Sequence, residues 1–237
     1  GTLLGAIGLT TILIIAALLS LIPFVLFLAL RFPRAKQAQG FPLRQAAKVV
    51  GHPLLWLCGF LLLFESGNEF AVGGWTSTYL NEYFHLTPTT ASFVLAGYWA
   101  AIMVGRLIVT KLVRAVKNEV LVFGSAILAL IAAVIMAGAP SGALAGLGAV
   151  MIGLGFAAIY PTTLAIVGEA FPALSGTAFS VIFVIGLAGG MTAPWLTGKV
   201  AMASSLRQGF FIPVVCCAMI VILQLVIMRL LKRRTSI

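Results

Sequence analysis

The fold class this sequence predicts is an all-α integral membrane bundle of seven transmembrane helices, on three observations. Of its 237 residues, 62% are hydrophobic and only 8% are charged, where a soluble domain carries about 25% charged residues. The apolar residues fall into seven runs, each long enough to cross about 30 Å of hydrocarbon at 1.5 Å per residue. Basic residues gather in the segments between runs, the pattern that sets orientation in a membrane. A lipid-facing chain must satisfy its own backbone, so the runs read as helices.

The runs lie at about 7–30, 53–80, 89–110, 118–138, 143–167, 173–197 and 208–230. The first begins at Gly1 with no basic segment before it, so it is not a secretory signal; the chain reads as one that begins partway through a longer protein. The basic segment 31–52 follows, with Arg31, Arg34, Lys36, Arg44 and Lys48. Within it, PLRQAAKVV sets Leu43, Ala46, Ala47 and Val50 on one helical face, away from Arg44 and Lys48. Either a short helix on the membrane surface or an unstructured basic linker fits. His52-Pro53 and Thr87-Pro88 put proline where a helix begins. Asn118 is placed to cap the fourth run, with Glu119 favourable in its first turn. Pro161 interrupts the fifth, freeing a carbonyl and bending the helix. Gly186 and Gly190 in the sixth allow close helix approach.

Orientation follows from the cations. Twelve lie in segments 31–52 and 111–117 and in the tail (Arg229, Lys232, Arg233, Arg234), against Lys199 and Arg207 on the other side. The tail is therefore expected in the cytoplasm and Gly1 outside, in a multi-pass inner (plasma) membrane protein. This distribution accounts for the net charge of +10 without a nucleic-acid partner. Cys58, Cys216 and Cys217 sit in apolar runs without metal spacing and read as packing residues. There is no aspartate, no zinc spacing and no phosphate loop, and the two histidines, His52 and His85, lie at helix ends. Spacing alone would allow Glu65 and Glu69 a hydrolytic pairing, but no other residue supports one. The expectation is a protein that is not an enzyme and uses no cofactor.

The informative stretch is FLLLFESGNEFAVGGW, residues 60–75. Entering at Pro53, the helix reaches Glu65 at a depth of about 18 Å and Glu69 at about 24 Å. An acid at mid-membrane costs about 2.5–3.5 kcal/mol on insertion scales, so it must face a partner or a watery cavity. Glu65, Asn68, Glu69, Val72 and Thr76 share one helical face, flanked by Trp75 and Tyr79. Such a stripe suits a wall that binds a sugar or similar polar solute; it also suits a buried helix–helix hydrogen-bond cluster. Gly73 and Gly74 read as a hinge for an outer gate, or as close packing. Tyr98, Trp99 and Tyr160 face either a cavity or the core. Arg106, near the inner end of its helix, reads with Lys111 and Arg114 as gate and loop electrostatics rather than as a ligand. Glu65 and Glu69 are one turn apart and resist simultaneous ionisation in a poorly solvated site. Either is then a candidate proton carrier, with Asn68 bonding the solute; in the alternative, both acids bind hydroxyls or an amine without moving protons.

Three stretches carry a resemblance. They are a basic loop ending in HPLLWLCGFLLLFESGNEFAVGGWTSTYL, the turn GRLIVTKLVRAVK, and GLGFAAIYPTTLAIVGEAFPALSGTAFSVIFVIGLAGGMTAPWLTG. With these the chain resembles the major facilitator superfamily of secondary transporters, near sugar-transporting branches such as the fucose permease-like group. The resemblance implies that 1–30 is the last helix of an N-terminal half, 31–52 the cytoplasmic central loop, and 53–237 the C-terminal six-helix bundle with its tail. In such folds the solute sits between the halves at mid-membrane, so the partners expected are a small-molecule substrate, protons, the lipid bilayer and the missing N-terminal half. One departure stands out: Thr110 takes the approximate place of the family's inner-loop glycine, and no aspartate follows. The acid-to-helix contact that stabilises an outward-facing state is therefore expected to be absent or weaker. The rival reading is a seven-helix receptor or sensor without transport. It keeps only the topology: the last helix has no lysine for retinal, the third lacks an acid-arginine-aromatic end, and no NPxxY-like sequence closes the seventh.

Overall fold

A computed structural model of the chain describes residues 2–30 and 43–235. Gly1 and the loop cations Arg31, Arg34 and Lys36 lie outside the described residues, as do the side chains of Leu43 and Arg234. Two compact units result, Gly1–Pro42 and Leu43–Ile237.

The first unit holds α1 (Thr2–Ala29). Its backbone breaks at Gly8, where φ is 72°, a left-handed value that glycine reaches without a Cβ clash. From Gly8 to Ala29 the helix is apolar throughout, with a mean hydropathy of 3.0.

The second unit contains α2 (Leu43–Val50), α3 (Pro53–Thr78), α4 (Pro88–Leu112), α5 (Asn118–Gly138), α6 (Gly142–Ala170), α7 (Ser175–Ala203), α8 (Leu206–Gly209) and α9 (Phe211–Thr235). A π-helical turn, Tyr79–Tyr83, extends α3. Among the described residues, seven helices are long and apolar enough to cross a membrane, the longest being the 31-residue span Pro53–Tyr83. The expected all-α, seven-span fold is therefore present, and no strand occurs among the described residues.

Local signals explain most helix starts. His52 caps α3, its Nδ1 accepting from the Leu54 amide at 3.1 Å, and Thr87 Oγ1 caps α4 by accepting from Thr90 N at 3.2 Å. Proline follows each cap, in the first turn, where its missing N–H costs nothing. Asn118 departs from expectation. Lys117 takes the cap position of α5 without a side-chain bond, because the Asn118 amide instead donates to Glu169 Oε1 at 3.0 Å. Segment 43–50 is helical, but its buried residues are Ala46 and Val49, while Ala47 and Val50 are exposed. The inward face is thus rotated from the one expected. The connection after α3 turns at His85, in the left-handed region at φ 56°, with Leu86 N–H donating back to the Leu80 carbonyl at 3.1 Å.

Helix α3 is central: it packs against α4, α6, α7 and α9, while α5 lies on α6 and α9. The α3–α7 crossing depends on glycine. A Cβ at Gly189 would collide with the Leu63 carbonyl, and one at Gly67 would lie 2.9 Å from the Gly189 carbonyl oxygen. Small residues permit this backbone-to-backbone approach in a membrane, where apolar burial between helices provides little drive. The expected Gly186 and Gly190 border the same seam: a Cβ on them would meet Ser66 Oγ at 3.5 Å and the Phe70 ring at 3.0 Å.

Gly73 and Gly74 do not interrupt α3, which runs unbroken to Thr78. The departure from α-helical geometry comes later, at Tyr79–Tyr83. Gly73 faces the Trp99 ring, 2.7 Å from where its Cβ would lie, whereas a Cβ at Gly74 would meet nothing within 4 Å. The two glycines should therefore respond differently from the crossing. Gly189→Val is expected to lower stability by about 3 kcal/mol or more, since overpacking here is against backbone. Gly74→Ala should leave stability unchanged or raise it by up to about 1 kcal/mol, the helix-propensity difference. Thermal melts of the two variants in one detergent check this ordering.

Candidate functional site

The polar stripe of α3 divides around the helix. Glu65, Asn68, Val72 and Thr76 are wholly buried, while Glu69 is part-exposed. Ser66 and Glu69 border a cavity of about 390 Å³ together with Phe70 from α3, Arg106 from α4, Tyr160 from α6, and Phe183 and Leu187 from α7. Four helices thus converge on it. Arg106, Phe183 and Leu187 are exposed, so the cavity opens onto the surface of this chain. The Tyr160 and Phe183 rings lie nearly parallel with centroids 6.4 Å apart, giving one wall a flat apolar face.

Charge concentrates at the floor. Glu69 and Arg106 border the cavity together, and Glu65 lies buried one helical turn from Glu69. Glu65 Oε2 accepts from the Ser66 hydroxyl at 3.4 Å. Its Oε1 is buried and has no hydrogen-bond partner among the described residues, so it is an acceptor that a proton or a donor on a bound solute would satisfy. A second cavity, of about 300 Å³, adjoins the other side of Arg106 and is bordered by Val109, Thr110, Pro161 and Thr162. Arg106 therefore reaches both spaces.

Other residues expected at the site are engaged elsewhere. The Asn68 amide donates to the Pro213 carbonyl at 3.0 Å and to Cys217 Sγ at 2.9 Å, tying α3 to α9. The Trp75 indole donates to the Pro194 carbonyl at 3.0 Å and packs over Gly198. Pro194 is a helix-interior proline, and Trp75 thereby fixes α7 where its backbone ladder is interrupted. Tyr79 is buried at the far end of α3, stacked on Phe210 with centroids 4.3 Å apart. The Tyr98 hydroxyl donates to the backbone carbonyl of Glu69 at 3.1 Å: it supports the site from behind. Lys111 and Arg114 are exposed at the end of α4 and just beyond it, and neither borders the 390 Å³ cavity. Of the expected binding residues, only Glu69 and Tyr160 line that cavity, with Glu65 beneath it.

Arg106, read from the sequence as part of the gate, borders the cavity beside Glu69. It lies six residues from the end of α4, about 9 Å along the axis, and is exposed at the cavity mouth. One signal was available: Arg106 is the one cation well inside a span in a chain with two mid-membrane acids, and intramembrane charges tend to pair. Ser66, Phe183 and Leu187 carried no comparable signal.

A family model described as Major Facilitator Superfamily matches residues 1–194 and, in a second alignment, 55–236. No curated protein matches the chain. Among solved structures, the chain is similar to a crystal structure of the E. coli fucose:proton symporter FucP, with 18% identity and a TM-score of 0.72. It is also similar to a structure of FucP in the outward conformation, with 19% identity and a TM-score of 0.71. In both cases the match covers 93% of this chain and 55% of the other, so the chain spans little more than half the length of the structures it matches.

The Asn68 contacts predict a stability effect distinct from any solute binding. Asn68→Ala should destabilise the bundle by about 0.5–2 kcal/mol, by removing the donor to α9. A lower melting midpoint without added solute is the expected reading; an unchanged midpoint would return Asn68 to a purely ligand-binding role.

Proposed function

The chain belongs to the major facilitator superfamily, and on that premise we propose that it forms one wall of a secondary transporter for a small polar solute, a sugar or sugar derivative, moved by proton-coupled alternating access. The observation that carries this reading is the presence of Glu69 and Arg106 together at an open cavity, beside the stacked Tyr160 and Phe183 rings and above the buried Glu65. Charged groups inside a span mark solute or proton paths, and a flat aromatic face beside hydrogen-bonding groups suits a sugar ring. The printed description of FucP as a fucose:proton symporter supports the same solute class and coupling ion.

In this reading residues 1–30 close an N-terminal half, 31–52 are the central loop on the cytoplasmic side, and 53–237 are the C-terminal half. The remaining helices supply the opposite wall, which agrees with the 55% coverage of the solved relatives. Glu69 and Tyr160 touch the solute. Glu65 and Glu69 share the transported proton, and Arg106 balances the carboxylate left when that proton departs. Protonation of the pair frees Arg106 to turn toward the second cavity, which couples proton arrival to a change in the cavity wall. Asn68, Trp75, Tyr79 and Tyr98 hold the wall in shape. Lys111 and Arg114 serve the cytoplasmic gate, and Gly74, with open space around it, lets α3 adjust at the outer gate.

The test is uptake into proteoliposomes holding this chain together with the rest of the transporter, driven by an imposed pH gradient and screened over a panel of sugars. Glu69→Gln or Glu65→Gln should lower gradient-driven accumulation at least about tenfold, the scale of one 1.4 kcal/mol interaction, while downhill exchange persists. Full accumulation in both variants would remove the acids as proton carriers. Uptake of no sugar by wild type, with flux of another polar solute, would change the substrate class alone.

A further inference from the structure

On another face of the bundle, away from the four helices that line the solute cavity, a second large cavity of about 510 Å³ lies between the start of α5 and the end of α9. Three cations border it: Lys117, Arg229 and Lys232. Its remaining wall is apolar, from Val120, Leu225, Met228 and Leu231. Glu119 also borders it, in the first turn of α5, where a helix terminus favours a carboxylate. Lys117 and Arg229 against Glu119 leave the opening positive. The cavity sits where two membrane-spanning helices end, so its cations stand at headgroup level and its apolar wall runs inward.

The site is held firmly rather than improvised by loose surface chains. Gln224 is wholly buried beside it, and its amide donates to the Glu119 carbonyl at 2.8 Å, pinning α9 to α5. The Asn118 side chain is drawn away to Glu169, and Lys117 at the N-cap of α5 makes no side-chain cap hydrogen bond. The first amides of α5 add to the positive potential of the cations. A soluble anion would use the cations and leave the apolar wall unsatisfied. A zwitterionic lipid would use the wall and bring no net charge.

We propose that this α5–α9 cavity binds the headgroup of one anionic glycerophospholipid, with its acyl chains along the Val120, Leu225 and Met228 wall. The lipid phosphate meets Lys117 and Arg229, each worth about a five-fold gain in affinity at a membrane surface. Binding there bridges the two helices and stabilises their contact, independently of what the solute cavity carries.

The experiment compares the complete transporter in nanodiscs of phosphatidylglycerol and of phosphatidylcholine, counting lipids retained through detergent exchange by native mass spectrometry. Wild type should keep one phosphatidylglycerol per chain and lose phosphatidylcholine. Lys117→Gln/Arg229→Gln should cut that retention about 25-fold, at about five-fold per charge. Equal retention of both lipids, or unchanged retention in the double variant, overturns the proposal. A second measurement uses wild type only, so it stands if the variant fails to fold. The melting midpoint should be higher in phosphatidylglycerol than in phosphatidylcholine, and the difference should shrink as salt rises. No difference overturns the proposal. If inorganic phosphate added to phosphatidylcholine nanodiscs reproduces the whole stabilisation, the cavity is a free-anion site and the lipid assignment falls.

Discussion

A carboxyl group at the centre of a bilayer costs about 2.5–3.5 kcal/mol on insertion scales, and α3 carries two of them one turn apart. Lipid cannot solvate them, so α3 has to stand inside the bundle. It does: α4, α6, α7 and α9 all pack on it. The remaining architecture follows from giving one helix that many neighbours. Glu65 is enclosed completely, and Glu69 is left at the edge of a cavity that Arg106 borders from α4. Enclosure shields Glu65, and the cavity leaves Glu69 open to the surface of this chain.

Enclosing a helix on four sides demands close approach on at least one of them. At the α3–α7 crossing, Gly189 lies against the backbone at Leu63 and Gly67 lies against Gly189. Farther along the same seam, large side chains fill the gap that the diverging helices leave. Trp75 rests on Gly198 and bonds the carbonyl of Pro194. Toward α9 the linkage is polar instead, through Asn68 to Pro213 and Cys217. The helix that carries the chemistry is thus fixed by backbone contact on one side and hydrogen bonds on the other, a firm support for groups whose work depends on position.

The cavity itself is asymmetric. Its polar floor comes from α3 and α4, and its apolar wall from α6 and α7. Arg106 belongs to the floor and also borders the second cavity, beside Pro161. Arg106 thus has two spaces open to it, one of them shared with Glu69. The neighbouring α3 keeps its glycines within continuous helix.

By itself the sequence determined the solvent, the number of spans and the two acids in the middle of one of them. Each is a property of composition and spacing along the chain: length against bilayer thickness, and charge against hydrocarbon. The helix starts at His52-Pro53 and Thr87-Pro88 were legible for the same reason, because the effect of a first-turn proline is local. What the sequence left open was the direction of each side chain around its helix. Asn68 and Glu69 are adjacent in sequence, yet one bonds α9 and the other borders the cavity. Trp75 and Tyr79 carry the chemistry of a binding wall but pack against Gly198 and Phe210. Asn118 has the chemistry of a cap but bonds Glu169, 51 positions away. Arg106 could lie toward the membrane surface or toward the acids, and the position of α4 beside α3 puts it on the cavity that Glu69 borders. Rotations of about 100° per residue separate core, cavity and lipid, and the packing of helices distant in sequence selects among them.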